Sequence, residues 1–224
     1  SLRAYQPPNT DLGQHFLVDD ELLNVMVKLA EVTSQDHVLE IGPGPGTLTQ
    51  VLLETGATVT AIELDDGPVL HLDNVFSEQQ NNGKLTLLHG DALLEQWPES
   101  ITKIVANIPY QISSPLIEKI TKFNALNETS LQSVVFMVQQ EFAQRLTMAH
   151  PSDVGSLGMT VALDWNVEAH HVVAPHSFSP QPAVHSQVVS LHPHQKIWPA
   201  DKRLIRMMIH QAFAERRKKI RSTL

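Results

Sequence analysis

The segment from Asn107 to Tyr110 reads Asn-Ile-Pro-Tyr, which places an amide, a rigid turn and an aromatic ring within four positions. Pro109 fixes its own φ and pushes the residue before it into an extended conformation. The exocyclic amine of a nucleobase is a poor nucleophile because its lone pair is spread into the ring. The Asn107 side chain and a loop carbonyl can accept the amine hydrogens while Tyr110 stacks on the base. The segment predicts an amine-binding loop; the alternative is an ordinary Asn-x-Pro turn before a helix.

A glycine-rich loop precedes this segment and directly follows a predicted strand at 37–41. Gly42, Gly44 and Gly46 give the spacing G-x-G-x-G, and Thr47 takes the sixth position where a dinucleotide fingerprint has its last glycine. No Lys-Ser or Lys-Thr follows, so the loop is not a phosphate-binding P-loop. Such a loop lets a ligand approach the backbone closely, although glycine turns after strands are common.

Two acidic residues also follow predicted strands. Glu63 closes the strand at 58–63, where a carboxylate can accept both hydroxyls of a ribose. Asp91 follows the strand at 85–89, where a carboxylate can accept an adenine amino group. Each acid alone fits a solvated loop carboxylate better than a ligand-binding group. Together with the glycine loop and the Asn107 segment, they predict a nucleoside pocket beside an amine-binding loop.

The elements that would position these groups alternate between strand and helix, which predicts a parallel α/β sheet. The predicted strands are 37–41, 58–63, 85–89, 103–106, 133–138, 167–173 and 187–191. The first predicted helix begins near Asp19 or Asp20. The later predicted helices are 47–54, 66–77, one that begins at Ser113, 140–149 and 201–214. Residues 157–165 fit a helix or a strand equally well.

Composition restricts the class of protein. The chain has 224 residues, 42% of them hydrophobic, and no cysteine, so we expect one large domain and a small second one without disulfides. It contains no apolar run long enough for a transmembrane helix and no recognisable secretory signal, and we expect a cytoplasmic protein without membrane contact. His192-x-His194 alone is weak evidence for a metal site, and we predict none.

Charge is distributed unevenly along the chain. The net charge is −8, yet eight of the 16 basic residues lie between 202 and 221. A basic tail on an acidic body indicates a local anionic contact, and the alternative is a solvated helix face. The tail residues that we expect to bind RNA are Arg216, Arg217, Lys218, Lys219 and Arg221.

The joint set of motifs resembles the ribosomal RNA adenine dimethyltransferases, and the likeness covers nearly the whole chain. The motifs are Gly13-Gln14-His15-Phe16-Leu17, Glu40-Ile41-Gly42-Pro43-Gly44, Ile62-Glu63-Leu64-Asp65, Gly90-Asp91-Ala92, Asn107-Ile108-Pro109-Tyr110, Phe178-Ser179-Pro180-Gln181-Pro182 and Arg216-Arg217-Lys218-Lys219-Ile220-Arg221. The last two resemble the small-subunit branch of the family.

The resemblance implies a Rossmann-like methyltransferase sheet with helices on both faces over residues 1–195, and the start of a small helical C-terminal domain at 196–224. It implies S-adenosylmethionine as cofactor and dimethylation of two neighbouring adenosines near the 3′ end of small-subunit ribosomal RNA, in an immature particle and by a monomer. The implied cofactor residues are His15, Leu17, Gly42, Gly44, Glu63, Asp91, Ala92 and Asn107. The implied catalytic residues are Asn107, Pro109, Tyr110 and Phe178.

Three positions depart from the family pattern. His15 stands where the family often has Asn, Val154 to Gly158 lacks an aromatic and an Arg, and Ala183 replaces a common Lys. The alternatives are an enzyme acting on large-subunit RNA, and a ribosome assembly or transcription accessory factor that keeps the pocket.

Overall fold

A seven-stranded mixed sheet forms the centre of the protein in the computed structural model, which describes residues 15–126, 131–194 and 201–214. In sheet order its strands are Leu85–His89, Thr58–Glu63, His37–Ile41, Lys103–Asn107, Ser133–Gln139, Ser186–Pro193 and Trp165–Val173. The first five strands in this order are parallel, and Ser186–Pro193 runs antiparallel to both of its neighbours. A separate antiparallel pair joins Phe16–Leu17 to Phe178–Ser179.

The described elements alternate along the chain as expected for an α/β protein. The strands are β1 Phe16–Leu17, β2 His37–Ile41, β3 Thr58–Glu63, β4 Leu85–His89, β5 Lys103–Asn107, β6 Ser133–Gln139, β7 Trp165–Val173, β8 Phe178–Ser179 and β9 Ser186–Pro193. The helices are α1 Asp20–Leu29, α2 Thr47–Glu54, α3 Asp66–Val75, α4 Ser77–Asn81, α5 Ser113–Leu126, α6 Gln140–Thr147, α7 Ser156–Val161 and α8 Lys202–Ala214.

Two hydrophobic clusters cover the two faces of the sheet, which confirms the expected layer of helices on each side. Buried residues of α1, α2 and α3, such as Met26, Leu52 and Leu72, pack on one face. Buried residues of α5 and α6, such as Ile117 and Phe142, pack on the other. Because β2, β3 and β5 lie between both layers, their side chains are buried almost without interruption.

The predicted elements around the glycine loop are confirmed, and Asp19 caps α1 by accepting the Leu22 N–H at 3.2 Å. The structure resolves one ambiguous segment and corrects one predicted helix. Residues 157–165 divide into the end of α7 and the start of β7 at Trp165. The predicted helix 66–77 is interrupted at Phe76, whose φ of −108° and ψ of 23° lie outside helical values.

Helix α8 is tied to the sheet domain by one carboxylate. Asp164, which precedes β7, accepts hydrogen bonds from Lys202 and Arg206, and its side chain is only 11% exposed. Ile209 is the buried residue of α8, and Leu204, Met207 and Met208 stay exposed. The predicted domain boundary between 195 and 196 lies outside the described residues, so the division into two domains stays a prediction.

Gly46 caps α2 in a conformation that other residues resist. Its φ is +88°, and a Cβ there would stand 2.6 Å from the Phe76 ring and 2.7 Å from a methyl of Leu72. Both of these side chains are buried. The glycine therefore lets α3 and Phe76 close over the start of α2, which fixes the loop that precedes this helix.

We predict that Gly46→Ala lowers the free energy of unfolding by about 2–4 kcal/mol, combining left-handed strain with overpacking. Gly83→Ala is the matched control, because Gly83 has a φ of +76° and no atom within 4 Å of its added Cβ. It should cost about 1–2 kcal/mol, from strain alone. Urea unfolding of both variants checks this, and equal losses would show that contact with Phe76 and Leu72 does not matter.

Candidate active site

The carboxyl ends of four adjacent parallel strands surround a cavity of about 310 Å³. Its walls come from the glycine loop after β2, the end of β3, the turn after β4 and the loop after β5. The structure thus brings together the four features that the sequence pattern indicated. Of the predicted site residues, those lining the cavity are His15, Gly42, Gly44, Glu63, Asp91, Ala92, Asn107, Pro109 and Tyr110.

Gly44 lies against a wall residue that was not among the predicted site residues. Its φ is +54°, and a Cβ at this position would stand 2.6 Å from Cε1 of Phe16. The Phe16 ring therefore packs directly over the loop, and it lines the cavity. Phe16 belongs to the predicted apolar patch before α1, but the contact joins segments 28 residues apart and had no local signal.

Glu63 is held by backbone groups on two strand ends. Its Oε2 accepts the Gly44 N–H at 3.0 Å, and its Oε1 accepts the N–H groups of Leu64 and Asp65 at 2.8 and 3.0 Å. Burial raises the pKa of the Glu63 carboxyl and the charge of Asp65 acts in the same direction, whereas the three N–H groups favour the ionised form. The carboxylate is thereby fixed at the cavity wall.

The turn that carries Asp91 is stabilised by a lysine from α5. Oδ1 of Asp91 accepts the Leu93 N–H at 2.8 Å. The Lys119 ammonium donates to the carbonyls of Ala92, Leu93 and Glu95 at 2.8, 3.1 and 2.6 Å, and it lies 4.7 Å above the centre of the Trp97 ring. Burial lowers the pKa of this ammonium, against the effect of Asp91 and Glu95.

Asn107 ends β5 with its amide held at one end. Its Nδ2 donates to the His15 carbonyl at 3.0 Å, which orients the amide and leaves Oδ1 as its acceptor. The His15 ring stacks on Tyr110 with centroids 5.7 Å apart, and Nδ1 of His15 lies 2.9 Å from the Pro180 carbonyl. The segment before α1 therefore packs against one side of the loop after β5.

The loop itself is held by one local hydrogen bond and by two contacts with distant strands. The Pro109 carbonyl accepts the Ile112 N–H at 3.1 Å, and the Ile108 N–H donates to the Met137 carbonyl on β6 at 3.2 Å. The Tyr110 hydroxyl lies 2.6 Å from the Ser186 hydroxyl. Burial raises the pKa of the Tyr110 phenol, so this group stays protonated at neutral pH.

A family model for ribosomal RNA adenine dimethylases matches residues 6–224. The chain belongs to this family. It is 38% identical over 228 residues to the ribosomal RNA small subunit methyltransferase A of Prochlorococcus marinus, covering 97% of this chain and 80% of that protein. It is 39% identical over 217 residues to the protein of the same name from Clostridium acetobutylicum, covering 92% and 75%.

Solved structures agree with this assignment. A dimethyladenosine transferase from Plasmodium falciparum is 30% identical with a TM-score of 0.82, and the match covers 93% of this chain and 74% of that one. A 23S rRNA methyltransferase, 24% identical with a TM-score of 0.75 over 93% of this chain and 82% of that one, shows the shared fold. The expected Rossmann-like methyltransferase sheet is confirmed, and the chain is a methyltransferase of the adenine dimethylase family.

Two residues that the family resemblance places in the site lie elsewhere. Leu17 and Phe178 are partners across the β1–β8 pair, and both side chains are buried in the core against α1, at 3% and 2% exposure. Neither lines the cavity. Because both side chains are packed in this core, the cofactor contact of Leu17 and the base-stacking role of Phe178 stay predictions.

The remaining predictions about the dimethylase site concern the tail, metals and membranes. The tail from Arg216 to Arg221 lies outside the described residues. Within the described ranges, no group of three His, Asp or Glu side chains is arranged to hold a metal ion. No described helix is both long and apolar enough to cross a bilayer.

We predict that Lys119→Met lowers the free energy of unfolding by about 1–3 kcal/mol, because it removes a charged donor from the carbonyls of the Asp91 turn while keeping an apolar chain over Trp97. Lys122→Met is the control on the same helix, at an exposed position, and should change stability by less than about 0.5 kcal/mol. Chemical unfolding of the two variants tests this. Similar losses would mean that Lys119 is an ordinary surface lysine.

Proposed function

We propose that this chain transfers methyl groups from S-adenosylmethionine to the exocyclic amines of adenosines in small-subunit ribosomal RNA during ribosome biogenesis. The observation that carries the proposal is the convergence of Glu63, Asp91 and Asn107 on one cavity, each from the end of a different parallel strand. Ligands of open α/β sheets bind at this edge. The family assignment and the names of the small-subunit relatives support the choice of substrate.

The residues present fit the cofactor. The cavity of about 310 Å³ is within the usual range for small-molecule sites. Glu63 offers carboxylate oxygens to ribose hydroxyls, and Asp91 offers one to an adenine amino group. Apolar side chains of Ile62 and Ile108 also line the cavity and suit a flat purine. When bound, S-adenosylmethionine supplies a methyl group on a positively charged sulfur.

The chain's own contribution to the reaction is the orientation of the amine. Oδ1 of Asn107 accepts one amine hydrogen and directs the nitrogen lone pair away from the base plane, towards the cofactor side of the cavity. The Pro109 carbonyl, which already accepts one N–H, has a second lone pair for the other hydrogen. Tyr110 offers a ring edge or face to the base, beside the His15 ring.

Proton removal does not require a base from this loop. Asn107 has no basic group, and the Tyr110 phenol remains protonated because burial raises its pKa. The methylated amine therefore gives up its proton to water after transfer. A target adenosine reaches the loop when its base leaves the stack, as in other enzymes that modify bases. A second round at the same nitrogen, and then a neighbouring adenosine, would account for dimethylation of two residues.

The wider setting of the proposal follows from the same assignment. The partner would be an immature small ribosomal particle in the cytoplasm, met by a monomer of this chain. The tail from Arg216 to Arg221 would contact RNA phosphates, because it offsets the acidic body locally. Residues 196–224 would begin a small C-terminal helical domain.

We expect Asn107→Ala to lower methyl-transfer turnover about a hundredfold or more while the protein stays folded, because it removes a positioned polar group at the reacting amine. The assay uses labelled S-adenosylmethionine with immature small subunits, naked small-subunit RNA and large-subunit RNA. Asn74→Ala is the control, since Asn74 is exposed on α3 and does not line the cavity.

Near wild-type turnover in folded Asn107→Ala would remove this residue from the mechanism. Transfer to large-subunit RNA alone would replace the proposed substrate with that of the sibling enzymes. A protein that binds subunits without transferring methyl groups to any of the three substrates would be an assembly factor.

Glu63→Ala should weaken S-adenosylmethionine binding at least about tenfold in calorimetry, because it removes charge-assisted hydrogen bonds to two hydroxyls. Glu78→Ala, which removes an exposed carboxylate on α4, should leave the affinity unchanged. Thermal unfolding reports separately on removal of the hydrogen bond from Gly44. Unchanged affinity in Glu63→Ala would show that the ribose is bound elsewhere.

Replacing Arg216, Arg217, Lys218, Lys219 and Arg221 with Gln should weaken binding to immature subunits and flatten its salt dependence. Each phosphate that is no longer neutralised should reduce the slope of log affinity against log salt by about 0.7–0.9. Affinity for S-adenosylmethionine should not change. An unaltered slope would assign the tail to solvent.

A further inference from the structure

Glu40 is a second carboxyl group beneath the active site, and it takes no part in the proposed transfer. It lies on β2 opposite Ala61 of β3, so Glu63 follows two residues further along the neighbouring strand, on the same sheet face. Its exposure is 1%, and it does not line the cavity. Glu40 is thus buried behind the glycine loop, and its partner in the sheet, Ala61, lies two residues before Glu63.

The hydrogen bonds of the two carboxyl groups differ sharply. Glu63 accepts three backbone N–H groups. Glu40 accepts one hydroxyl, from Thr49 of α2, at 2.7 Å to Oε2. Its Oε1 is buried and has no hydrogen-bond partner among the residues that the structure describes. An ionised carboxylate in this environment would be poorly compensated, whereas a neutral carboxyl costs much less to bury.

Burial accordingly raises the pKa of Glu40 to about 8, and the charge of Glu63 adds to the effect, while the hydroxyl and the backbone N–H of Thr49 oppose it. The charged or hydrogen-bonding groups that act on Glu40 are therefore Glu63 from β3 and Thr49 from α2. When two neighbouring carboxyl groups have unequal environments, the better hydrogen-bonded one stays ionised and the other keeps its proton. With three N–H donors, Glu63 is the member of the pair that is better able to hold a charge, and Glu40 is the member that keeps its proton.

The ligand proposed for this pocket carries a charge of its own. S-adenosylmethionine has a positive sulfur, a positive amino group and one carboxylate, and its demethylated product lacks the positive sulfur. A cation held in the cavity favours ionisation of carboxyl groups close to it. Glu40 lies behind the same loop, and its Oε1 has no hydrogen-bond donor among the described residues. A change in the charge of the ligand can therefore cause Glu40 to lose or regain a proton.

We propose that the protonation state of Glu40 follows the charge of the bound ligand. Glu40 is neutral in the ligand-free protein and releases its proton to solvent when the positively charged cofactor binds. It takes up a proton again when the product, whose sulfur is uncharged, replaces the cofactor. This inference rests on the proposed function. It makes Glu40 a positioning residue that favours the cofactor over its product without touching either.

The sign of the pH dependence follows from linkage. If binding lowers the pKa of Glu40 below its ligand-free value, the ionised protein binds the cofactor more tightly. Affinity for S-adenosylmethionine then rises with pH, by at most about tenfold per pH unit, and levels off above about pH 8, where Glu40 is already ionised. The product, without the sulfonium charge, should show a smaller rise.

Folding stability gives a readout that needs no cofactor. The pKa of a carboxyl group that is raised in the folded state makes the protein less stable as pH increases from the unfolded value, about 4.3, towards the folded value. Glu40→Gln keeps the shape and removes this titration. The thermal midpoint of the wild-type protein should therefore fall more steeply between about pH 6 and 8 than that of Glu40→Gln.

The decisive experiment is titration calorimetry of S-adenosylmethionine and S-adenosylhomocysteine into the wild-type protein and Glu40→Gln, in phosphate and in Tris at the same pH. The difference in heat between the buffers counts the protons released. The wild-type protein should release more protons with the methylated ligand than with the product, and Glu40→Gln should lose most of this difference. The variant also supplies the baseline for the ligand's own amino group, which titrates near pH 8.

Equal proton release by the wild-type protein and Glu40→Gln would overturn the inference while leaving the cofactor assignment intact. Absence of binding by either ligand would refute the proposed cofactor and this inference together. If Glu40→Gln does not fold, infrared difference spectra of the wild-type protein decide. Loss of a protonated carboxyl band on addition of S-adenosylmethionine supports the inference, and an unchanged band contradicts it.

Discussion

The hydrogen bond from the Gly44 backbone to Glu63 is the contact on which the rest of the site depends. It ties the loop after β2 to the end of β3, so two strand ends that are neighbours in the sheet act as one wall. The other oxygen of Glu63 accepts the backbone N–H groups of Leu64 and Asp65, which connect β3 to α3. Because one carboxylate satisfies donors on both sides, the loop geometry and the position of the charge cannot change independently.

The sheet and most of the site were predictable from the sequence because their signals are local. Apolar runs that end in glycine or an acid mark β2 and β3, and parallel pairing then brings Glu63, Asp91 and Asn107 to one edge. What the sequence does not reveal is contacts between distant segments. Leu17 and Phe178 are paired across most of the chain, and their burial is decided by that pairing rather than by their motifs.

The roles of Lys119 and Glu40 could not be predicted from the sequence, because they depend on the groups that surround each side chain in the fold. Lys119 occupies a helix face like many surface lysines, and only the fold shows its three carbonyl partners. Glu40 belongs to a family motif, but the motif does not reveal that one of its oxygens is buried without a donor among the described residues. Hydrogen-bond satisfaction of this kind depends on packing around the group, and periodicity carries no information about it.

The electrostatics of the site separate its two ligands. Carboxylates at the ends of β3 and β4 line the cavity, and in the proposed function they would favour a cationic cofactor and repel an anionic RNA strand. The group that must reach the methyl is neutral, however, since it is the amine of a single base. In the proposed reaction, Asn107 and Tyr110 would recognise that base with an amide and a ring, neither of which carries charge. An acidic protein body can therefore act on RNA if only an unstacked base enters the cavity and the RNA backbone is held elsewhere. A basic tail that is far from the cavity in sequence is compatible with this arrangement.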